Sequence, residues 1–309
     1  MRLKKALIKV LSGSALFLGL NFFCHSRTDG FSIDKISYRL PIHQVVTLSE
    51  EAAKRNKASE KETLRFLDQP FFYLGKGRTA YAFVSQDSQY VVKFVRYNHL
   101  RLPTWVKWLP AAFDHYKKKT SAVLEEKLKQ NLTGHILGFE RLPEETQLIY
   151  LHLNKTAHLN KKLIIFDKIG IRHEVNLDDL EFMVQRKVGL ICEELSRFMK
   201  EGHPEMAKES LDHLLQMILV RQREGIFDRD PNVHFNYGLV GTTPILIDTG
   251  GLLTYRDYFL LRPHSTSSGR NEIYKKTKKF RRWLFKEYAE LNQYFEEKIA
   301  STPDLQTHI

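Results

Sequence analysis

The apolar pattern of this chain changes period once, near residues 181–187, and that change limits the fold more than any other feature. Before it, the runs 71–84, 89–95, 148–153, 162–167, 169–175 and 181–185 read as strands of a small antiparallel sheet. After it the period is 3.6. Residues 188–200 form one amphipathic helix and residues 205–224 another, with Leu211, Leu214, Leu215, Ile218 and Leu219 on one face and Gly225 as its C-cap. Strands followed by helices predict an α+β body of two lobes. The expected organisation is a targeting segment at 1–26, a polar helical extension at 27–69, a sheet lobe at 70–184 and a mainly helical, shortened lobe at 185–309. At 309 residues, 42% hydrophobic and 27% charged, the chain can bury a core without disulfides or metals. Its two cysteines agree: no CxxC exists, and Cys192, inside an apolar helical pattern, reads as a small hydrophobe.

Charge comes next, at 48 Lys+Arg against 36 Asp+Glu and a net +12. Such a balance favours anionic partners: nucleotide phosphates, nucleic acid or an acidic membrane surface. Four of the excess positives, Arg2, Lys4, Lys5 and Lys9, precede an apolar run at 10–24. That pairing predicts a cleaved secretory signal or a short N-terminal anchor, with a cut after Ser26. The run is shorter than the ~20 residues a spanning helix needs. Basic residues ahead of it would place the body on the non-cytoplasmic side. The alternative is a hydrophobic first helix docked on the domain, which leaves the chain cytoplasmic. Residues 49–68 read as a solvated helix capped by Ser49 or Thr47.

Two segments carry chemistry. In the first, a strand-like aromatic run enters Gly75-x-Gly77 and leaves through Tyr81 and Phe83, and Lys93 follows in the middle of a β-branched strand. Glycines in a hairpin let backbone N–H groups approach a phosphate. A lysine in a strand interior needs an anionic partner. In the second, a polar loop holds Asp228, Asp230, Asn232, His234 and Asn236, and a hairpin then delivers Asp248 into Thr249-Gly250-Gly251. Phosphoryl transfer needs oxygen ligands for Mg²⁺ and a carboxylate to orient the incoming hydroxyl, and a hairpin can converge such groups on one point. The same loop also reads as a hairpin capped by Asx turns with no chemistry.

Taken in order, these residues resemble the protein-kinase-like fold. Gly75 and Gly77 match its first two loop glycines, and Lys93 its ATP-positioning lysine. Ala80 replaces the third glycine, and Ala82 stands where a valine usually covers the adenine ring. Asp228-Arg229-Asp230 resembles H-R-D, Asn236 its downstream asparagine, and Asp248-Thr249-Gly250 the D-F-G triplet. The resemblance implies ATP and Mg²⁺, with Asp230 as catalytic base and Asn236 and Asp248 as metal ligands. Lys93 would pair with a glutamate, Glu125 or Glu126, from a helix at 120–132. Three positions depart from the family. Asp228 replaces histidine and is an alternative base, Asn236 comes six residues after Asp230 instead of five, and Thr249 replaces phenylalanine. No A-P-E signature follows, and residues 252–309 are too few for the substrate-binding half of ordinary protein kinases. The expectation is therefore a compact, atypical phosphotransferase acting on a small molecule or a protein. The alternative is a catalytically inactive kinase-like scaffold at a membrane surface. A nucleic-acid partner ranks lower, because no recognised binding motif accompanies the charge.

Other features have structural readings. Residues 101–110, RLPTWVKWLP, look like an inserted Trp-rich loop, expected to pack on the domain rather than meet a membrane. His152 and His173 read as structural, and Asn131-Leu132-Thr133 fits a glycosylation triplet of a kind that often arises by chance, here on an expected helix. Residues 271–299 read as one helix, with Ile273, Phe280, Trp283, Leu284, Tyr288, Leu291 and Phe295 in a stripe. Lys275, Lys276, Lys278, Lys279, Arg281 and Arg282 begin its opposite face, which is solvated or drawn to anionic lipid at ~1 kcal/mol per residue.

Overall fold

The computed structural model describes residues 2–37, 47–77, 79–97, 100, 102–230, 232–261 and 269–302. Helices α1 (Arg2–Thr28), α2 (Ile33–Ile36) and α3 (Glu50–Phe66) come first. Strands β1 (Phe71–Lys76), β2 (Ala80–Ser85) and β3 (Tyr90–Val95) follow. Then come α4 (Asp114–Arg141), α5 (Pro143–Thr146), β4 (Leu148–His152), β5 (Lys162–Phe166), β6 (Arg172–Asn176) and β7 (Phe182–Arg186). The remainder runs β8 (Gly189–Leu190), α6 (Ile191–Lys200), α7 (Pro204–Arg223), β9 (Ile226–Asp228), α8 (Val233–Asn236), β10 (Tyr237–Val240) and β11 (Thr243–Leu246). It closes with β12 (Leu252–Thr254), α9 (Tyr255–Leu261), α10 (Gly269–Glu287) and α11 (Ala289–Ser301). The class is α+β, an antiparallel-rich sheet followed by a mainly helical part, as the period change predicts. The chain divides into two compact units, Met1–Val45, Ser59–Leu124 and His152–Val184 in the first, Val46–Ala58, Glu125–Leu151 and Gln185–Ile309 in the second.

The main sheet has the order β4-β7-β3-β2-β1-β5-β6, and β3-β2-β1-β5-β6 lie wholly in the first unit. Its pairings there are antiparallel except β1 with β5, which run parallel through Phe71–Ile165 and Phe72–Phe166. Alternation sets the faces. In β2, Tyr81, Phe83 and Ser85 are buried, while Ala80, Ala82 and Val84 are half-exposed. The buried face is aromatic: Phe83 meets Phe31 at 5.3 Å and Phe94 at 5.8 Å in edge-on contacts.

Phe31 belongs to the stretch just after α1, which is stitched to this sheet. Gly30 has φ +67°, and its N–H returns to the His25 carbonyl at 3.0 Å, ending the helix. The Asp29 carboxylate accepts from the Tyr73 hydroxyl and from Lys168, each at 3.0 Å, and pairs with Lys76 at 3.5 Å. The described side chains of α1 itself are not docked: Leu16, Phe17, Leu18, Leu20, Phe22 and Phe23 are all exposed. Among the described residues no helix is long and apolar enough to cross a membrane.

A buried acid gives the first unit a pH signature. Glu181 is 1% exposed, and its Oε2 accepts the Tyr97 hydroxyl at 2.5 Å. Burial raises its pKa from 4.5 to about 7. The folded chain thus holds this proton more tightly than the unfolded one. The resulting stabilisation is complete below pH 4.5 and is lost as pH rises through about 7. A shift of this size is worth roughly 3 kcal/mol. Glu181→Gln is expected to flatten the fall in melting temperature between pH 5 and 8 and to melt above the wild type at pH 8. Parallel pH profiles for the two proteins would refute this.

In the second unit, α6, α7, α10 and α11 enclose a core that includes Leu195, Phe198, Leu211, Leu214, Ile218, Phe280, Leu284 and Phe295. Four expectations need correction here and in the Trp-rich loop. The helix expected at 188–200 starts at Ile191, because Gly189 and Leu190 form β8 and pair with β10. The stripe at 271–299 is two helices broken at Tyr288, so Phe280 meets Phe295 edge-on at 5.9 Å and Arg281 reaches Glu296 at 2.6 Å. The helix expected at 120–132 runs from Asp114 to Arg141. The Trp-rich loop is a 3₁₀ turn, Thr104–Trp108, with both tryptophans exposed rather than packed.

Other readings hold. Ser49 accepts the Ala52 N–H at 3.4 Å, ahead of Glu50, and Gly225 ends α7 at φ +71°. His152 bonds the Leu180 carbonyl, and His173 bonds Asp167. Lys275, Lys278, Lys279 and Arg282 are exposed on α10, while Lys276 lies over the Phe227 ring at 5.6 Å. Asn131 is buried, which leaves no room for a sugar at the glycosylation triplet.

Candidate active site

In the first unit, strand register sets the geometry. Gly75 is the cross-strand partner of Ala82, and Ala82 is the partner of Lys93. Residues in one such row project from the same face of a sheet. The row therefore offers bare backbone, one methyl group and one half-buried lysine side by side. A register shift between Tyr73 and Gly75 marks a bulge at Leu74, which brings Gly75 into line.

Neither glycine is demanded by local geometry. Gly75 and Gly77 lack positive φ, a Cβ on Gly75 would meet nothing within 4 Å, and one on Gly77 only the Ala80 carbonyl at 3.7 Å. What glycine supplies here is unobstructed backbone. The loop base is braced: Gly77 N–H bonds the Ala80 carbonyl at 2.8 Å, and Arg96 donates to the Gly77 carbonyl at 2.7 Å.

In the second unit a hairpin gathers the polar residues. β10 pairs with β11 from Tyr237–Leu246 to Val240–Thr243. One step beyond Tyr237, the Ile247 N–H donates to the Asn236 carbonyl at 2.7 Å. Asn236 and Asp248 therefore leave the same end of the ladder. The Asn236 Nδ2 donates to the Asp230 carbonyl at 2.7 Å, which ties Asp230 to that end and leaves Oδ1 as the asparagine atom suited to a cation. Between them, Val233–Asn236 forms the turn α8. Asp248 Oδ1 accepts the Gly250 N–H at 3.0 Å, an Asx turn that fixes its side chain.

The two aspartates left as alternatives by the sequence have different surroundings. Asp230 is exposed. Asp228, on β9, is 2% exposed; its Oδ1 accepts the Asp230 N–H at 2.9 Å, and a Cβ on Gly251 would come within 2.6 Å of that oxygen. Burial pushes the Asp228 carboxyl up to about 6, against the pull of Arg221 beside it. The buried Asp228 organises the loop; the exposed Asp230 can meet a ligand.

The Asp248 turn is seated on α4. Thr249 is buried with its hydroxyl 2.7 Å from His135 Nδ1, and Asn131 Nδ2 donates to the Gly250 carbonyl at 3.4 Å. A Cβ on Gly134 would lie 2.7 Å from the Thr249 carbonyl, and one on Gly138 2.8 Å from Thr249 Cγ2. Across the turn, the Arg229 N–H bonds the Gly251 carbonyl at 2.9 Å and β9 pairs with β12. Asn131, His135 and Arg221 are supporting residues that sequence reasoning missed. The available signal was Gly134-x-x-x-Gly138, two glycines one helical turn apart. Of the two candidate glutamates on α4, Glu125 is half-buried, whereas Glu126 is exposed and accepts from Gln130 at 3.0 Å.

Among the described residues no group of three or more His, Cys, Asp or Glu gathers as for a metal. Asn236 Oδ1 and the Asp248 carboxylate are hard oxygen donors. That set fits Mg²⁺, which is commonly held by one or two carboxylates plus water and substrate phosphates.

No family model and no curated protein sequence matches the chain. Among solved structures, it is similar to the bifunctional kinase-methyltransferase WbdD at 16% identity and TM-score 0.34, over 74% of this chain and 44% of that one. A complex of WbdD with the kinase inhibitor LY294002 aligns at 17% identity and TM-score 0.33, over 75% and 46%. The Rv3197–erythromycin complex from Mycobacterium tuberculosis aligns at 13% identity and TM-score 0.28, over 92% and 85%. The chain spans less than half the length of these two WbdD structures. At such identities and scores no residue role transfers from them.

Proposed function

We propose that this chain is an ATP- and magnesium-dependent phosphotransferase of protein-kinase-like fold, exported or held at a membrane by its N-terminus. The observation that carries the reading is the convergence of Asp230, Asn236 and Asp248 at one hairpin end. In the proposed reaction Asp230 accepts the proton of the acceptor hydroxyl and aligns it for attack. Asn236 and Asp248 hold the metal, which when bound offsets charge on the phosphate oxygens. Lys93 steadies the nucleotide phosphates. Gly75 and Gly77 admit the phosphates to the backbone, and Ala82 leaves space for the base. The exposed apolar side chains of α1 behind a basic start support the N-terminal address.

The glycines give a test with a built-in folding control. Because a Cβ fits at both, Gly75→Ala with Gly77→Ala is expected to leave the melting temperature without nucleotide close to wild type. ATP affinity should fall about tenfold or more, equivalent to ~1.4 kcal/mol. Unchanged affinity in a folded variant would remove the glycines from the site.

A further inference from the structure

We propose that the turn carrying Trp105 and Trp108, together with the start of α4, inserts into an anionic lipid surface. This contact is additional to the N-terminal anchor and independent of the phosphotransferase reading. The turn is built to hold its indoles outward. Val106, between them, is buried and roots the turn. The Leu109 carbonyl accepts from Lys117 Nζ at 2.8 Å, and Lys117 pairs with Asp114 at 2.9 Å. Trp105 is nevertheless 64% exposed and Trp108 85%, with Phe113 and Tyr116 exposed beside them in sequence. Four exposed aromatics within twelve residues is far from the ordinary scatter of single apolar side chains on a surface.

Chemistry selects the occupant. Tryptophan and tyrosine concentrate where one end of the ring meets hydrocarbon and the other meets water. Residues 101–119 carry five basic residues, Arg101, Lys107, Lys117, Lys118 and Lys119, against the single acid Asp114. Lys118 and Lys119 are exposed. Aromatics for the interface and positive charge for the headgroups together match an anionic bilayer. The exposed apolar side chains of α1, in the same unit, add a second feature of that kind.

The test uses the full chain and vesicles of phosphatidylcholine alone or equimolar with phosphatidylserine, each with brominated acyl chains as a fluorescence quencher. The chain has three tryptophans, and the third, Trp283, is stacked on Phe280 at 5.9 Å in the second unit. With phosphatidylserine present, wild-type emission should shift to the blue and be quenched. In Trp105→Ala with Trp108→Ala, the remaining Trp283 emission should be unquenched, and partitioning should fall about tenfold. Lys118→Ala with Lys119→Ala should weaken binding to the mixed vesicles and reduce its salt dependence. All four side chains are exposed, so unchanged melting temperatures confirm that the variants fold. Co-sedimentation without tryptophan quenching would assign binding to α1 alone and overturn the proposal. Equal binding to both vesicle types, or none to either, would overturn it as well, the latter pointing to a protein partner for the aromatic patch.

Discussion

Replacing Asp248 with alanine is expected to abolish the magnesium-dependent part of ATP binding, a loss of about 100-fold or more. The magnitude follows from position: even outer-shell partners of a metal ligand cost ~10–100-fold when removed, and Asp248 is placed as a direct ligand. Asp248 is half-exposed and directly follows Ile247, whose N–H bonds the Asn236 carbonyl at the end of the β10–β11 ladder. Its Oδ1 also caps the Gly250 N–H, so the alanine variant loses a local turn as well as a charge. Asp248→Asn separates the two effects, because the amide oxygen can still accept that N–H. Both variants should lose magnesium dependence, and the asparagine variant should keep the wild-type melting temperature without ligand. Magnesium-dependent binding that survives in either variant would move the cation elsewhere.

Gly134→Val should be the most damaging single change to the second unit that touches no ligand-facing residue. Removing a helical glycine ought to help, since glycine costs a helix roughly 1 kcal/mol relative to alanine. Packing dictates the opposite. A Cβ at this position would stand 2.7 Å from the Thr249 carbonyl and 3.1 Å from both the Gly250 carbonyl carbon and the Leu252 carbonyl. These are backbone atoms of the turn that presents Asp248, and they cannot rotate away as a side-chain end would. Overpacking of this kind costs about 1–3 kcal/mol and occasionally more, and branching puts valine at the upper end. The variant should melt several degrees lower and lose magnesium-dependent ATP binding. A melting temperature at or above wild type would show that α4 and the turn are not in the contact described.

These two residues also show what the sequence could and could not reveal. The sheet was legible because its face alternates: Tyr81 and Phe83 go in, Ala80 and Ala82 come out, and the pattern is visible in the chain. The hairpin after Asn236 was legible because Gly241 must turn, at φ +60°. The C-terminal half of α4 was not. The expected helix stopped at residue 132, just short of Gly134 and Gly138, and the close approach of residues 249–252 explains glycines inside a continuing helix. The break at Tyr288 carries no glycine or proline signal either, and across it Phe280 meets Phe295 edge-on. The contrast between a buried Asp228 and an exposed Asp230 is likewise not encoded in spacing. The outward tryptophans ran against a sound default that large aromatics pack inside.

The most direct test of the central claim is calorimetric titration of ATP into the full chain, with and without magnesium, alongside thermal melts of the same samples. Saturable binding of one nucleotide per chain, dependent on magnesium, is the expected result. Ligand at 100 times its dissociation constant should add about 2.7 kcal/mol of stability. Neither heat of binding nor a melting shift at millimolar ATP with magnesium would contradict it. The loop at Asp230, Asn236 and Asp248 would then be the capped turn of a protein with no phosphoryl chemistry.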